Sequence, residues 1–319
     1  MDMLRVEKMA SQGPARELGL KSVLVASDFT DASSKPLRHA ISIARHFHAK
    51  FYLAHVVSSI GFTIAGRDTL EAAADAARRD VEGLEGKLVE SGTLTGLSHE
   101  FIVREGNGVW EELRAILREK QVELVVIGTH GRHGIGKLVL GSVAEQIFRE
   151  ADGLVLTVGP HSLPEAPLDR LNGSSFLFPT DFGEASAHAL PQAISFANHF
   201  GARLVFLHVE PVMPIPEGFS WSKTPDDITQ IREDARQKAL KRMHEFVAGS
   251  TPLSVTPEFL VEFGKHGERI LHVARSVKAD LIILGLDHSK HGGVTSHLPQ
   301  TTAYKIATEA HCSVLTVRN

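Results

Sequence analysis

The chain has 319 residues, a formal net charge of −4 and 43% hydrophobic residues, which is typical of a globular protein of about two domains. The acidic balance disfavours nonspecific nucleic-acid binding, which requires a basic face. No apolar run reaches the roughly 18 residues that a membrane span requires, and the polar segment 1–19 does not resemble a signal peptide. The single cysteine, Cys312, cannot form an internal disulfide and favours a reducing compartment. We therefore expect a cytoplasmic protein.

The first half of the chain alternates short apolar strands with helices. The predicted strands are Ser22–Ala26, Lys50–Val56, Phe101–Val103, Leu124–Ile127 and Gly153–Val158. The predicted helices are Ser34–Phe47, Arg67–Val89, Val109–Lys120 and Ser142–Ala151. Strands that alternate with helices form parallel sheets covered on both faces. The pattern therefore predicts an α/β domain, doubly wound around a five-stranded, mainly parallel sheet.

The second half of the chain repeats the first. Residues 26–56 and 179–209 align without a gap and are identical at nearly half of their positions, which indicates an internal duplication. The joint at 159–173 is rich in proline and glycine, as linkers often are. We expect two tandem domains of the same fold. The predicted boundaries are an N-terminal extension at 1–20, a first domain at 21–159, a linker at 160–173 and a second domain at 174–319.

A glycine-rich loop follows the strand Leu124–Ile127 and leads into a helix. Gly128 and Gly131 open the loop. After nine intervening residues, Gly141 followed by Ser142 closes it. Glycine lets the backbone approach a phosphate closely, and the first N–H groups of the next helix point at the anion. The pattern therefore predicts a nucleotide phosphate site.

The helix after the loop has a start signal of its own. Ser142 and Glu145 have the spacing of a capping box, which predicts Ser142 as the N-cap of a helix that starts at Val143. Two better-known phosphate motifs do not fit. A P-loop needs Ser or Thr where this chain has Leu138, and a dinucleotide fingerprint needs a third glycine after Gly136.

Other candidate residues follow the ends of neighbouring strands. Ala26 and Asp28 come at or just after the first strand, Val56 ends the second, and Gly128 follows the fourth. In doubly wound sheets ligands bind outside the carboxyl ends of the strands. The Asp28 carboxylate could accept a hydrogen bond from an adenine amino group or a ribose hydroxyl, with Val56 beside the base. Asp28 could equally cap the helix that follows.

With this repeat, the Asp-Phe pair after the first strand and the glycine spacing, the chain resembles a tandem universal stress protein of the UspA family. ATP-binding members of that family carry G-x2-G-x9-G-[S/T], which Gly128, Gly131, Gly141 and Ser142 match. The resemblance implies an adenine nucleotide alpha hydrolase-like fold and a regulatory role in the stress response. It also implies binding of ATP, or of ADP or AMP, together with Mg²⁺.

The resemblance also implies roles for single residues. The Asp28 side chain and the Val56 backbone would hold the adenosine part. The phosphates would be held by Gly131, Gly141, Ser142 and Val143. Many family members have proline where this chain has Ala26, and the second copy keeps that proline as Pro179.

The second copy departs from the motif after Gly285. Its loop is about two residues longer, and residues 300–301 align with Gly141 and Ser142, so no glycine holds the second motif position. Asp181 and Val209 persist as counterparts of Asp28 and Val56. We therefore predict that the first domain binds ATP and that the second binds it weakly or not at all.

Histidines offer a different interpretation. The i, i+3 pairs His130 with His133 and His288 with His291 could ligate zinc, but a zinc site usually needs three or four ligands. We expect these loop histidines to face solvent or phosphate. His55 and His208 lie within predicted strands, and we expect both to be packed core side chains.

The sequence offers no catalytic residue, since no nucleophile elbow and no water-orienting group is evident near the loop. We expect a nucleotide-binding regulatory module with at most weak ATP hydrolysis. The alternatives are a slow ATPase or nucleotide-dependent enzyme, and a protein-interaction scaffold with vestigial nucleotide sites. The family's domains pair through their last strands, which implies an intramolecular pseudo-dimer through Gly153–Val158 and Ser313–Val317, and two chains could pair further into a homodimer.

Overall fold

The computed structural model describes residues 19–30, 33–60, 67–129, 140–160, 162, 173–211, 225–250, 252–287 and 301–318. The chain divides into two compact units. One contains the described residues between 19 and 162 together with 301–318, and the other contains 173–287. None of the helices in these residues is long and apolar enough to cross a membrane.

Ten strands and eight helices lie in the described residues. The strands are β1 (Ser22–Ala26), β2 (Lys50–Ser58), β3 (His99–Gly106), β4 (Leu124–Gly128), β5 (Gly153–Val158), β6 (Ser175–Pro179), β7 (Arg203–Glu210), β8 (Glu258–Phe263), β9 (Leu281–Leu286) and β10 (Ser313–Arg318). The helices are α1 (Ser34–His46), α2 (Arg67–Glu90), α3 (Val109–Glu119), α4 (Ser142–Glu150), α5 (Glu184–Phe200), α6 (Pro225–Ala248), α7 (His266–Ser276) and α8 (Thr302–Glu309).

The unit of the first copy is built on a sheet with strand order β3-β2-β1-β4-β5-β10. The first five strands are parallel, and β10 joins β5 antiparallel. The predicted doubly wound α/β fold is confirmed. Strand order reverses between β1 and β4. From β1 the chain continues to β2 and β3 on one side of the sheet, and it then crosses to β4 and β5 on the other side.

The inner parallel strands β1 and β4 are apolar along most of their length because helices cover both faces of the sheet. Val23, Leu24 and Val25 of β1 are buried in succession, as are Val126 and Ile127 of β4. Each such side chain contributes about 1.5–3 kcal/mol on burial. The end strand β3 is longer than the predicted Phe101–Val103, because its half-buried polar positions hide it from a search for apolar runs.

Helix α1 shows how the covering layer forms. Leu37, Ala40, Ile41 and Ala44 recur at the spacing of one helical face, and all four are buried. The helix ends at His46, and His48 then adopts a left-handed conformation with φ of 52°. This turn returns the chain directly to β2.

The second unit has the strand order β9-β6-β7-β8, with parallel pairs throughout. It contains four of the five strands of the second copy. The fifth, β10, lies with α8 in the unit of the first copy. There β10 pairs with β5, and Leu315 lies opposite Leu156. The pairing expected between the last strands of the two copies is therefore present.

Arg318 at the end of β10 is buried, and its guanidinium bonds the C-terminal end of helix α4. Its Nη2 donates to the carbonyl of Phe148 at 2.9 Å, and its Nη1 donates to that of Ala151 at 3.2 Å. Burial lowers the pKa of Arg318, and the nearby carboxylates of Asp152 and Glu150 oppose that shift. A cation here satisfies the last carbonyls of the helix and faces the negative end of its dipole.

Replacing Arg318 with Met should lower the free energy of unfolding by about 2 kcal/mol, because the two helix-terminal carbonyls lose charged donors and stay buried. Urea unfolding measures this change. Arg114→Met, at an exposed position of α3, is the matched control and should shift stability by less than about 0.5 kcal/mol. Equal stabilities for the two variants would show that the guanidinium does not stabilise α4.

Candidate functional site

The candidate residues meet at the carboxyl edge of the first sheet, where strand order reverses. Val25 of β1 lies opposite Val126 of β4, so the residues that end or follow the two strands, Ala26 to Asp28 and Gly128, come at the same edge. On the other side of β1, Ala26 lies opposite Ala54 of β2, which places Val56 just beyond that edge. The structure thus brings Ala26, Asp28, Val56 and Gly128 to one edge of the sheet.

Asp28 shapes the turn between β1 and α1. Its Oδ1 accepts hydrogen bonds from the Thr30 N–H (3.1 Å), the Thr30 hydroxyl (2.7 Å) and the Ser33 hydroxyl (2.6 Å). This is an Asx turn, which aspartate favours because its short side chain reaches the backbone two residues on. The carboxylate is half-buried and held in one orientation.

The charge of Asp28 follows from two opposing effects. Burial raises the pKa of its carboxyl, and the hydrogen bonds from Ser33 and Thr30 lower it; together the bonds prevail and the pKa lies below its ordinary value. Asp28 is therefore ionised at neutral pH. An ionised carboxylate only accepts hydrogen bonds, so any partner it binds must supply N–H or O–H groups.

Phe29 completes this turn in a conformation that is uncommon for an aromatic residue. Its φ is 58°, and its ring packs on the ring of His55 with centroids 4.7 Å apart. The Nδ1–H of His55 donates to the carbonyl of Ser27 at 2.8 Å, which sets the tautomer of the imidazole. Such a backbone conformation persists because neighbouring contacts over-determine it.

The second copy repeats this turn. Oδ1 of Asp181 accepts from the Gly183 N–H and the Ser186 hydroxyl, both at 2.8 Å. Phe182 has a φ of 63° and packs on His208 with centroids 4.6 Å apart. Both strand histidines were predicted to be packed core side chains; both are packed, each against a phenylalanine ring, but they are half-buried and not fully buried. Burial again raises and hydrogen bonding lowers the pKa of Asp181, with a net lowering.

The glycine-rich loop is described at its two ends. Thr129 is buried, donates its N–H to the Val158 carbonyl at 3.3 Å and accepts from the Gly141 N–H at 3.2 Å. These bonds place Gly141 beside the end of β4. The predicted site residue Gly131 and the loop histidines His130, His133, His288 and His291 lie outside the described residues. Within the described part of the chain, no group of three His, Cys, Asp or Glu side chains is arranged to hold a metal ion.

The start of α4 differs from the predicted capping box. The helix begins at Ser142 with Gly141 as its N-cap, and no side chain bonds the cap. The prediction is wrong because Ser142 is already the first residue of the helix, and the Glu145 N–H that its hydroxyl would have bonded is taken by a backbone carbonyl. Gly141 instead supplies its carbonyl, which accepts from the Glu145 N–H at 2.8 Å.

This start leaves backbone donors open. In the described part of the chain, no acceptor bonds the N–H groups of Ser142, Val143 and Ala144. The first N–H groups of a helix lack intrahelical partners and carry the positive end of its dipole. They can therefore bind an anion beside the edge that holds Asp28.

In the corresponding helix of the second copy, one of the first N–H groups is bonded by the N-cap side chain. Thr301 is the N-cap of α8, and its hydroxyl accepts from the Tyr304 N–H at 3.2 Å. The cap is one-sided, because Tyr304 stands where a capping box has Glu or Gln, and it was not predicted from the sequence. Gly285, the counterpart of Gly128, has a packing reason to be glycine, since a Cβ there would lie 2.0 Å from the Ala185 carbonyl oxygen.

Comparisons with known proteins agree with this architecture. A model of the universal stress protein family matches residues 19–159 and again 174–318. A universal stress protein of Mycolicibacterium smegmatis is 26% identical over 303 residues, which cover 93% of this chain and 96% of that protein. Universal stress protein YxiE of Bacillus subtilis is 30% identical over 144 residues, 43% of this chain and 97% of that protein.

Among solved structures, a universal stress protein from Archaeoglobus fulgidus superposes with a TM-score of 0.63 at 16% identity. The match covers 93% of this chain and 98% of that one. At this level of identity the likeness shows a shared fold.

The two aspartate turns predict a pH dependence of stability. An aspartate in the unfolded chain has a pKa of about 3.9, whereas the pKa values of Asp28 and Asp181 are lowered in the folded chain. Their contribution to the free energy of unfolding is complete above the unfolded value and is lost as the pH falls through the folded value. The double variant Asp28→Asn, Asp181→Asn should therefore lose less stability than wild type between about pH 5 and pH 2.

Urea unfolding at a series of pH values measures the difference. Asp80→Asn, at an exposed position of α2, is the control and should keep the wild-type slope. Parallel pH profiles for wild type and the double variant would contradict the assigned hydrogen bonds.

Proposed function

The chain belongs to the universal stress protein family, and from this premise we propose that its first copy binds an adenine nucleotide, ATP foremost, as a regulatory module of the stress response. The observation that carries the proposal is the open start of α4. Three N–H donors follow a glycine-rich loop at the point where the sheet reverses its strand order. That combination suits a nucleotide phosphate group.

The adenosine part would bind at the ends of β1 and β2. Asp28 presents an ionised, oriented carboxylate, and adenine and ribose offer N–H and O–H donors to it. Val56 is half-buried at the same edge and presents an apolar side chain or its backbone to the base. Ala26, also half-buried, directly precedes the turn at the same edge.

The phosphates would bind at the other side of the same crevice. The N–H groups of Ser142 and Val143 would donate to phosphate oxygens, with Gly141 allowing close approach. Gly128 and Gly131 would also belong to the phosphate site, as their positions in the glycine motif indicate. A Mg²⁺ ion accompanying the nucleotide would be held mainly by phosphate oxygens and water, as is usual for this ion.

The second copy would bind the phosphates weakly or not at all. Its aspartate turn is intact at Asp181, but the hydroxyl of Thr301 takes the Tyr304 N–H at the start of α8. The cap removes one of three donors, the counterpart of the Ala144 N–H, and a donor that is already satisfied adds little to anion binding. Together with the missing second motif glycine, this lost donor supports weaker phosphate binding by the second copy.

Slow ATP hydrolysis is the second candidate function, and one observation favours it. Because the predicted cap bond is absent, the Glu145 carboxylate in the first turn of α4 is not engaged there. Hydrolysis requires a group that orients the attacking water, and Glu145 is the residue that could do so. A binding module remains the better-supported function. The open backbone donors are sufficient to bind a phosphate group, whereas hydrolysis also requires a group that orients water.

The expected cellular setting is the cytoplasm, since the single cysteine, Cys312, is a buried free thiol that needs no oxidising compartment.

Homodimerisation of the chain is part of the proposal as well. A scaffold with vestigial nucleotide sites is the outcome if no nucleotide binds.

Purified protein that is denatured and examined by mass spectrometry should release close to one adenine nucleotide per chain. Two per chain would contradict the silent second copy. If the protein is empty, excess ATP and magnesium should raise the melting temperature, since ligand at about a hundredfold over Kd stabilises by roughly 2.7 kcal/mol. Absence of any shift would favour the scaffold.

Replacing Gly141 with Leu should abolish ATP binding, because a side chain there would occupy the approach of the phosphates. Gly141 has a φ of −59°, which any residue adopts, so the helix should still form. Gly83→Leu in α2, where an added Cβ meets nothing within 4 Å, is the control and should bind normally. Isothermal titration calorimetry measures both, and ATP turnover equal in the two variants would exclude hydrolysis at this loop.

A further inference from the structure

The exit of the glycine-rich loop in the first copy is bonded to a tyrosine of the second copy. The N–H of Leu140 donates to the phenol oxygen of Tyr304 at 3.2 Å. Leu140 is 3% exposed and Tyr304 is 4% exposed, so water does not replace this bond. Leu140 directly precedes Gly141, the glycine at which the loop enters α4.

The phenol oxygen of Tyr304 is held in place from several directions. Its ring packs edge to face on the buried ring of Phe148 in α4, with centroids 6.4 Å apart. Its backbone N–H is bonded by the Thr301 cap. The strand that follows, β10, pairs with β5 through five residue pairs. The acceptor is therefore fixed to the sheet of the first unit.

Two successive amides at the loop exit are thus bonded to the protein. The Leu140 N–H is taken by Tyr304, and the Gly141 N–H by the carbonyl of Thr129 at 3.2 Å. The donors that stay open begin at Ser142. Because both peptide planes before Ser142 are anchored, the direction of the open donors is set before any ligand arrives. Pre-set donors bind an anion without the cost of ordering the backbone.

Loss of the Tyr304 hydroxyl would remove one of the two anchors. The buried Leu140 N–H would then lack an acceptor, and a buried unsatisfied donor is costly. The Leu140 peptide would rotate to find another acceptor, and the neighbouring Gly141 would follow because glycine offers little resistance. The open donors of α4 would then be less well aligned.

We propose that Tyr304 is a positioning residue for the phosphate site of the first copy, and that the second copy contributes to that site through α8 although its own glycine motif is altered. Tyr304 acts through Leu140 and does not touch the nucleotide. The proposal rests on the proposed function, since it concerns the same phosphate site.

The test uses the two tyrosines of the chain. Tyr304→Phe and Tyr52→Phe each remove one hydroxyl and keep a buried ring in the same unit. Tyr52 lies in β2, where its ring contacts the Lys50 ammonium 5.0 Å from its centroid. Binding of ATP with magnesium and of adenosine alone is measured by calorimetry for both full-length variants and wild type.

Tyr304→Phe should weaken ATP binding roughly threefold to tenfold, the range that loss of one hydrogen bond, here the bond to the Leu140 N–H, would produce. Adenosine binding should stay unchanged. Tyr52→Phe should change neither. Hydrogen exchange in the nucleotide-free protein should show faster exchange of the Leu140 amide in Tyr304→Phe. A merely structural tyrosine would weaken ATP and adenosine binding alike, and that result would overturn the proposal.

The positioning role of Tyr304 and the proposed nucleotide binding can be overturned separately. ATP binding by wild type that Tyr304→Phe leaves unchanged would overturn the positioning role alone. A wild-type protein that binds neither ATP nor adenosine would overturn the proposed function, and the positioning role with it.

Discussion

The parallel pairing of β1 with β2 on one side and with β4 on the other is the constraint on which the candidate site depends. The three strands end at one edge of the sheet, so the turn after β1 and the described ends of the loop after β4 lie at that edge. Asp28 and Gly141 are both brought there, although more than a hundred residues separate them along the chain.

The duplication separates what serves the fold from what serves a ligand. Both copies keep an aspartate that accepts bonds from its own turn, a phenylalanine with positive φ and a histidine bonded to a strand-end carbonyl. These features recur because they hold the β-strand to its helix in both copies. In the described part of the chain the first three N–H groups of α4 are open, whereas a threonine takes the third of them in α8. The turn alone is thus a structural element, and the proposed nucleotide binding requires the open helix start as well.

The last two elements of the second copy lie in the unit of the first. The β10 strand continues that sheet beyond β5, Arg318 bonds the end of α4, and Tyr304 bonds the residue before its start. Both ends of α4 therefore depend on residues supplied by the second copy. A tandem arrangement makes this supply permanent, because the two copies share one chain and cannot dissociate.

The sequence by itself determined the family, the α/β fold, the duplication and the edge at which Ala26, Asp28, Val56 and Gly128 gather. Continuous apolar runs in the strands and period-3.6 patterns in the helices reflect burial of each element, and a parallel sheet brings its strand ends together whatever the loops contain. The recurrence of Asp-Phe and of the strand histidine in both copies was the signal that could have identified the packed turn in advance.

Only the tertiary structure decided how the helix ends are satisfied. The Ser142–Glu145 pattern predicted a cap that is absent, because the helix begins one residue earlier and Gly141 takes the cap position. The bonds from Leu140 to Tyr304 and from Arg318 to Phe148 join residues separated by 164 and 170 positions. No local pattern encodes such contacts, because they exist only once β10 has paired with β5 and brought the end of the chain against α4.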